Sequence, residues 1–122
     1  MVSEAVKKVF IVDDSPIVRE RLVSMISELP AVQIIGQAGF AFEAIAAIEE
    51  LKPDFVVLDI SLPGGSGMEV LESIKGKTPA PRVIMLTNFA FEQYRRRCIQ
   101  LGADYFFDKS NEFEKVMEIL RD

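Results

Sequence analysis

A chain of 122 residues, 49% of them apolar, has the size and apolar content of one domain with one core. Its net charge of −5 argues against non-specific nucleic-acid binding, and the absence of histidine removes a Ser-His-Asp triad, histidine zinc and haem sites and a histidine phospho-carrier. The single cysteine, Cys98, excludes an internal disulfide and thiolate metal sites, so any chemistry must run on carboxylates, hydroxyls, lysine and a bound hard metal.

No segment reaches the roughly 18 unbroken apolar residues of a membrane helix. Met1 to Val6, with Ser3 and Glu4, lacks the long apolar stretch of a signal peptide, so a soluble cytoplasmic protein without membrane contact is expected. Val9 to Val12 predicts a first strand, ending in Asp13-Asp14. Ser15 suits an N-cap with Pro16 at the first helical position, and Val18, Leu22, Met25 and Leu29 trace the helix face up to Pro30. Val32 to Ile35, broken by Gln33 and followed by Gly36 and Gln37, reads as an edge strand. Ile45, Ile48 and Leu51 form a second helical stripe before the Lys52-Pro53 stop. Phe55 to Leu58 predicts a third strand ending in Asp59. Ser66 and Glu69 have capping-box spacing for a helix through about Lys75. Gly64, Gly65 and Gly67 lack the spacing of a dinucleotide or P-loop fingerprint and read as a turn after Pro63. Val83 to Leu86, ending in Thr87, is the fourth strand. Ala90, Tyr94, Cys98 and Leu101 make a fourth helical stripe closed by Gly102. Tyr105 to Phe107 is the fifth strand, followed by Lys109, and Phe113, Val116, Met117 and Leu120 predict the last helix.

The runs VFIV, FVVL and VIML are continuously apolar, as parallel strands covered on both faces are. Five strand-helix alternations predict an α/β fold: a five-stranded parallel sheet doubly wound with five helices, one domain over residues 1–122. Putting the most polar strand on an edge gives the flavodoxin-like order 2-1-3-4-5. In that architecture the carboxyl ends of the strands share one rim, where ligands bind. Asp13, Asp14, Asp59, Thr87 and Lys109 should therefore converge from four separated segments. Three carboxylates in one pocket repel one another unless one is protonated or a cation is bound. Mg2+ suits such a site, because it takes oxygen ligands, uses few carboxylates and shares phosphates. Phosphoryl transfer needs positioning and charge neutralisation, and a carboxylate can be the nucleophile.

The motifs VFIVDDSPIVRERL, DFVVLDISLPGGSGMEVL, VIMLTNF and GADYFFDKS, in this order, resemble the receiver domain of bacterial two-component response regulators over essentially the whole chain. The resemblance implies that Asp59 is the phospho-acceptor. Asp14 and Asp59 are then direct metal ligands, Asp13 binds through water, and the backbone carbonyl of Ser61 completes the protein's share. The ion is Mg2+, with Mn2+ as an alternative. Thr87 is the switch hydroxyl, Lys109 the ammonium that pairs with the phosphoryl group, and Phe106 falls at an aromatic switch position. Asn88, Phe89 and Ser61 stand where rates are tuned. A sensor histidine kinase or phosphotransfer protein would donate phosphate, and the surface of helix four, strand five and helix five would then control a downstream protein target. No direct nucleic-acid contact and no turnover of other substrates are expected. Three departures stand out: Ser110 replaces the proline that usually follows the lysine, Asn88 replaces a small residue, and Phe89 with Ser61 occupy the positions that influence dephosphorylation, so an unusual rate is expected.

Taken singly, the aspartates are ordinary helix caps, Thr87 a turn hydroxyl, Lys109 a surface lysine and Phe106 a core residue. Cys98 reads as a small buried hydrophobe and Arg95-Arg96-Arg97 as a solvated helix face, or as a contact for an acidic partner. Four rival functions remain. A phosphate relay or a non-switching scaffold shares the same fold. A flavodoxin-like electron carrier would place a flavin phosphate against Asp13-Asp14, which repel it. An aspartate-nucleophile phosphatase usually has a second acid two residues past the nucleophile, where this chain has Ser61.

Overall fold

In the computed structural model, which describes residues 5–122, five parallel strands form one sheet. Residues 1–4, included in the single-domain expectation and in the reading of Met1 to Val6, lie outside the described residues. The strands are β1 (Lys7–Val12), β2 (Val32–Ala38), β3 (Phe55–Leu58), β4 (Arg82–Thr87) and β5 (Tyr105–Asp108), in the order β2-β1-β3-β4-β5. The expected order and the edge position of β2 are both found. A two-residue antiparallel hairpin, Ser61–Leu62 with Gly65–Ser66, fills the loop after β3. The helices are α1 (Pro16–Ile26), α2 (Ala41–Leu51), α3 (Gly67–Lys75), α4 (Glu92–Gln100) and α5 (Lys115–Arg121).

Alternation along the central strands divides the core into two layers. Phe10, Val12, Val56, Leu58, Val83, Met85 and Phe106 meet the buried residues of α2, α3 and α4. Val9, Ile11, Phe55, Val57, Ile84 and Leu86 meet Leu22 and Ile26 of α1 and Val116, Met117 and Leu120 of α5. Strands β1, β3 and β4 bury both faces, which is why their sequences lack a polar alternation.

β2 runs three residues beyond its expected end. Its pairing with β1 shifts register between Val9 and Phe10 and continues through Gly36. A Cβ at Gly36 would lie 2.7 Å from the Phe10 ring, so the glycine makes room for a core aromatic instead of ending the strand.

The helix starts follow the sequence. The Ser15 hydroxyl accepts from Val18 N–H and the Ser66 hydroxyl from Glu69 N–H. Several helix faces differ from the expected stripes. α1 stops at Ile26 and buries Leu22 and Ile26, leaving Leu29 in the turn before Pro30. α2 faces the core with Ala41, Ala44 and Ile48, while Leu51 is exposed. Leu51, at the last turn, stays largely in solvent with its tip over Gly36 of β2. Ala90 precedes α4, whose expected stripe otherwise holds: Tyr94, buried Cys98 and the C-cap Leu101 pack on the core. Phe113 is buried ahead of α5 rather than within it. Burial pushes the Cys98 thiol up to about 11, in keeping with a packing role.

Gly67 fixes the approach of α3 to the end of β3. Its N–H donates to the Ile60 carbonyl at 2.6 Å, and a Cβ there would stand 1.8 Å from the Asp59 carbonyl oxygen. Because the obstacle is backbone, it cannot rotate away. Gly67→Ala is expected to lower stability by about 2 kcal/mol or more. Gly76→Ala, at a helix end with ordinary contacts, should change it by less than about 0.5 kcal/mol. Urea unfolding of the two variants checks this.

Candidate functional site

The strand ends deliver the acids to one place. Asp13 directly follows β1, and its N–H donates to the Ala38 carbonyl of β2 at 3.0 Å. Asp59 directly follows β3, and its N–H donates to the Val12 carbonyl of β1 at 3.0 Å. The parallel ladders therefore set Asp13 and Asp59 side by side, and Asp14 follows at the rim. One carboxylate oxygen from each of Asp13, Asp14 and Asp59 lies within 4.8 Å of the other two. Asp13 and Asp59 are buried, whereas Asp14 is exposed and opens the group to solvent.

Lys109 comes from the opposite end of the sequence. Thr87 pairs with Asp108 across β4 and β5, and the Lys109 N–H donates to the Thr87 carbonyl at 3.0 Å. Its ammonium reaches Asp13 Oδ2 at 2.6 Å and Asp59 Oδ2 at 2.8 Å, with the lysine side chain only 8% exposed. The other oxygens of these acids accept backbone donors: Ser15 N–H to Asp13 Oδ1 at 2.9 Å and Ile60 N–H to Asp59 Oδ1 at 2.7 Å. Burial pushes the Asp13 carboxyl above its ordinary range, and the charge of Asp59 adds to the shift. The Lys109 ammonium and the Ser15 N–H oppose it. Burial works against the charged form of Lys109, but its bonds to Asp13 and Asp59 prevail and hold the ammonium above the usual lysine range. Lys109 is therefore a cation at neutral pH.

One ammonium among three carboxylates leaves the rim anionic. All the donors are hard oxygens and one acid faces solvent, so the group suits a hard divalent cation held by Asp13, Asp14 and Asp59. Ser61, two residues past Asp59, is exposed at the start of the small hairpin. Thr87 is fully buried, and its hydroxyl accepts from Phe89 N–H at 3.0 Å. Asn88 and Phe89 are exposed on the loop that follows. Phe106 is buried among the α2–α4 layer, opposite Tyr105 and Phe107, whose rings stack with centroids 6.1 Å apart. Ser110 supplies the N–H that a proline would lack, and the Asp108 carboxylate accepts it at 2.8 Å, tying down the turn after β5.

Two contributors escaped the sequence reading. Gly67 was read only as part of a turn, yet its missing side chain is what lets α3 approach Asp59. Arg19 had no assigned role, yet its guanidinium donates to the Asp13 carbonyl. Its place one helical turn past the Ser15 N-cap was the available signal.

The response regulator receiver domain family matches residues 9–121. The chain is 36% identical over 114 residues to protein-glutamate methylesterase/protein-glutamine glutaminase 1 of Methanospirillum hungatei, covering 92% of this chain and 33% of that protein. It is 34% identical over 114 residues to the DNA-binding transcriptional activator DevR/DosR of Mycobacterium tuberculosis, covering 93% of this chain and 51% of that protein. The chain thus spans between a third and about half of the length of these two relatives. Its structure is similar to the response regulator domain of Thermotoga maritima CheB, with a TM-score of 0.88 and 31% identity, covering 95% of this chain and 94% of that one. It is also similar to a chain of the CheX-CheY-BeF3-Mg2+ complex of Borrelia burgdorferi, with a TM-score of 0.80 and 28% identity, covering 93% and 88%. By the match over residues 9–121, by these relatives and by the acids its strands bring to one rim, the chain belongs to the response regulator receiver domain family.

Proposed function

We propose that Asp59 accepts a phosphoryl group, with Mg2+ or Mn2+ held by Asp14, Asp59, water-linked Asp13 and the Ser61 backbone carbonyl. The single observation that carries this reading is the grouping of three carboxylates around a charged, buried lysine. The Borrelia burgdorferi complex to which the fold is similar contains BeF3 and Mg2+, which supports it. When bound, the cation neutralises phosphoryl oxygens and the acids beside them.

The chain's own groups divide the remaining work. An Asp59 carboxylate oxygen forms the new bond to phosphorus as the donor's bond to phosphorus breaks and its electron pair leaves with the donor. Lys109 transfers its ammonium from the carboxylates to the phosphoryl oxygens, which is a charge-assisted exchange. The Thr87 hydroxyl donates to the same oxygens, leaving Phe89 N–H. That exchange pulls on the loop into α4 and changes the surface of α4, β5 and α5, with Phe106 repacking beneath it. Asn88, Phe89 and Ser61 tune the lifetime of the phosphorylated state. The donor is a sensor histidine kinase or phosphotransfer protein, and the receiver of the signal is a downstream protein. Self-directed transfer at Asp59 is the only chemistry proposed, with no turnover of other substrates. No helix among the described residues is long and apolar enough to cross a membrane, and the lone buried cysteine suits a reducing cytoplasm.

Asp59→Asn is expected to abolish phosphate incorporation from acetyl phosphate with Mg2+, read by mass spectrometry of the intact chain. Undiminished incorporation would remove Asp59 from its role. Lys109→Met leaves two buried carboxylates facing each other and should cost roughly 3 kcal/mol in metal-free buffer. In an Asp13→Asn background the same replacement should cost less than half as much, because the repulsion it exposes is already reduced. Urea unfolding in chelator measures both, and equal losses in the two backgrounds would contradict the shared role of the ammonium.

A further inference from the structure

Arg19 projects from the first turns of α1 into a cleft that also contains Asp14 and Glu43. An arginine beside two carboxylates would ordinarily pair with one of them. Among the described residues Arg19 forms no ion pair. Its guanidinium donates instead to the main-chain carbonyl of Asp13. That carbonyl belongs to the peptide plane joining Asp13 to Asp14, so the bond fixes how the second acid leaves the strand.

Gly39, just past the end of the neighbouring strand, lies beside this contact. A Cβ there would lie 3.1 Å from Arg19 Nη1 and 3.6 Å from the Asp13 carbonyl oxygen. Gly39 is not among the residues with positive φ, so its backbone does not call for glycine. A Cβ there would push the tip of the guanidinium aside by a few tenths of an ångström.

We propose that Arg19 is a positioning residue for the divalent cation: it clamps the Asp13–Asp14 peptide so that both carboxylates face Asp59, and Gly39 keeps its path open. The clamp rests on the reading of these acids as a cation site. The guanidinium donates to a carbonyl oxygen and forms no ion pair with Asp14, whose carboxylate is exposed at the solvent-facing side.

The test is a calorimetric Mg2+ titration of the whole chain and of Arg19→Ala, Arg19→Lys, Gly39→Ala and the Arg19→Ala/Gly39→Ala pair, with thermal unfolding of each in chelator. Arg19→Ala should weaken Mg2+ binding about tenfold, the scale on which groups orienting metal ligands act. Arg19→Lys should recover part of the loss, since an ammonium also donates to a carbonyl. Gly39→Ala should weaken binding in the same direction by displacing the guanidinium. The pair should bind no more weakly than Arg19→Ala alone, because alanine at position 39 acts only through the arginine. A residue needed merely for packing of α1 would leave Gly39→Ala without effect on binding, and that result overturns the clamp. Additive losses, or unchanged binding by Arg19→Ala, overturn it too. Should Arg19→Ala fail to unfold cooperatively, Gly39→Ala and Arg19→Lys decide the matter alone. A flat titration of the unaltered chain overturns the cation reading, and the clamp with it, whereas normal binding there with indifferent variants overturns the clamp only.

Discussion

Anionic crowding at one rim of the sheet is the constraint around which the molecule is arranged. Asp13 and Asp59 are buried, Asp14 stands beside them, and a single ammonium bridges the two buried acids. In isolation such a group costs stability, since burial favours neither charge nor its like-charged neighbours. The protein limits the cost in two ways. Backbone donors from Ser15 and Ile60 satisfy one oxygen of each buried acid, and Lys109 satisfies the other. No buried side-chain nitrogen or oxygen among the described residues lacks a hydrogen-bond partner. The site is thus fully bonded and still short of positive charge, which is a suitable state for taking up a cation and a phosphoryl group.

The sheet makes this crowding reproducible. A side chain on a loop alone would have freedom to avoid its neighbours. Here each buried acid directly follows a strand whose last residues are locked in a ladder: Val12 pairs with both Ala38 and Leu58, and Leu58 with Met85. The apolar strands spend their burial energy on this alignment. Gly67 then lets α3 begin against the Asp59 carbonyl, so the acid is confined from the helix side as well.

Much of this was legible in the sequence because it depends on local rules. Continuous apolar runs marked the central strands, Ser15-Pro16 and Ser66 marked two helix starts, and acids placed directly after strands marked the rim. What escaped depends on contacts between distant segments. Leu51 fits the period of its helix but is largely exposed, while Ala41, Ala44 and Ile48 face the core. Gly36 looked like a strand end and is a strand interior, since the reason for it is the Phe10 ring on the adjacent strand. Arg19 carried only its place one helical turn past the Ser15 N-cap as a signal, as its partner is a carbonyl that any residue would possess. The family resemblance assigned roles to Thr87 and Phe106, but their present partners, Phe89 N–H and the α2–α4 layer, could come only from three dimensions.

Those partners bear on how a charge at Asp59 would reach the surface. The Thr87 hydroxyl accepts one bond, from Phe89 N–H, at the base of the loop into α4. Moving it toward Asp59 breaks a bond worth about 1 kcal/mol net, while donation to a phosphoryl oxygen is charge-assisted and stronger. In the proposed switch, that balance would favour movement only when the phosphoryl group is present. α4 packs on the core through Tyr94, Cys98 and the C-cap Leu101, and carries three exposed arginines in succession. Lys109 is joined through its N–H to the Thr87 carbonyl, so the ammonium and the hydroxyl belong to one hydrogen-bonded unit. In the proposed switch, a single charge change at the rim would therefore act on the strand end, the loop and the helix together.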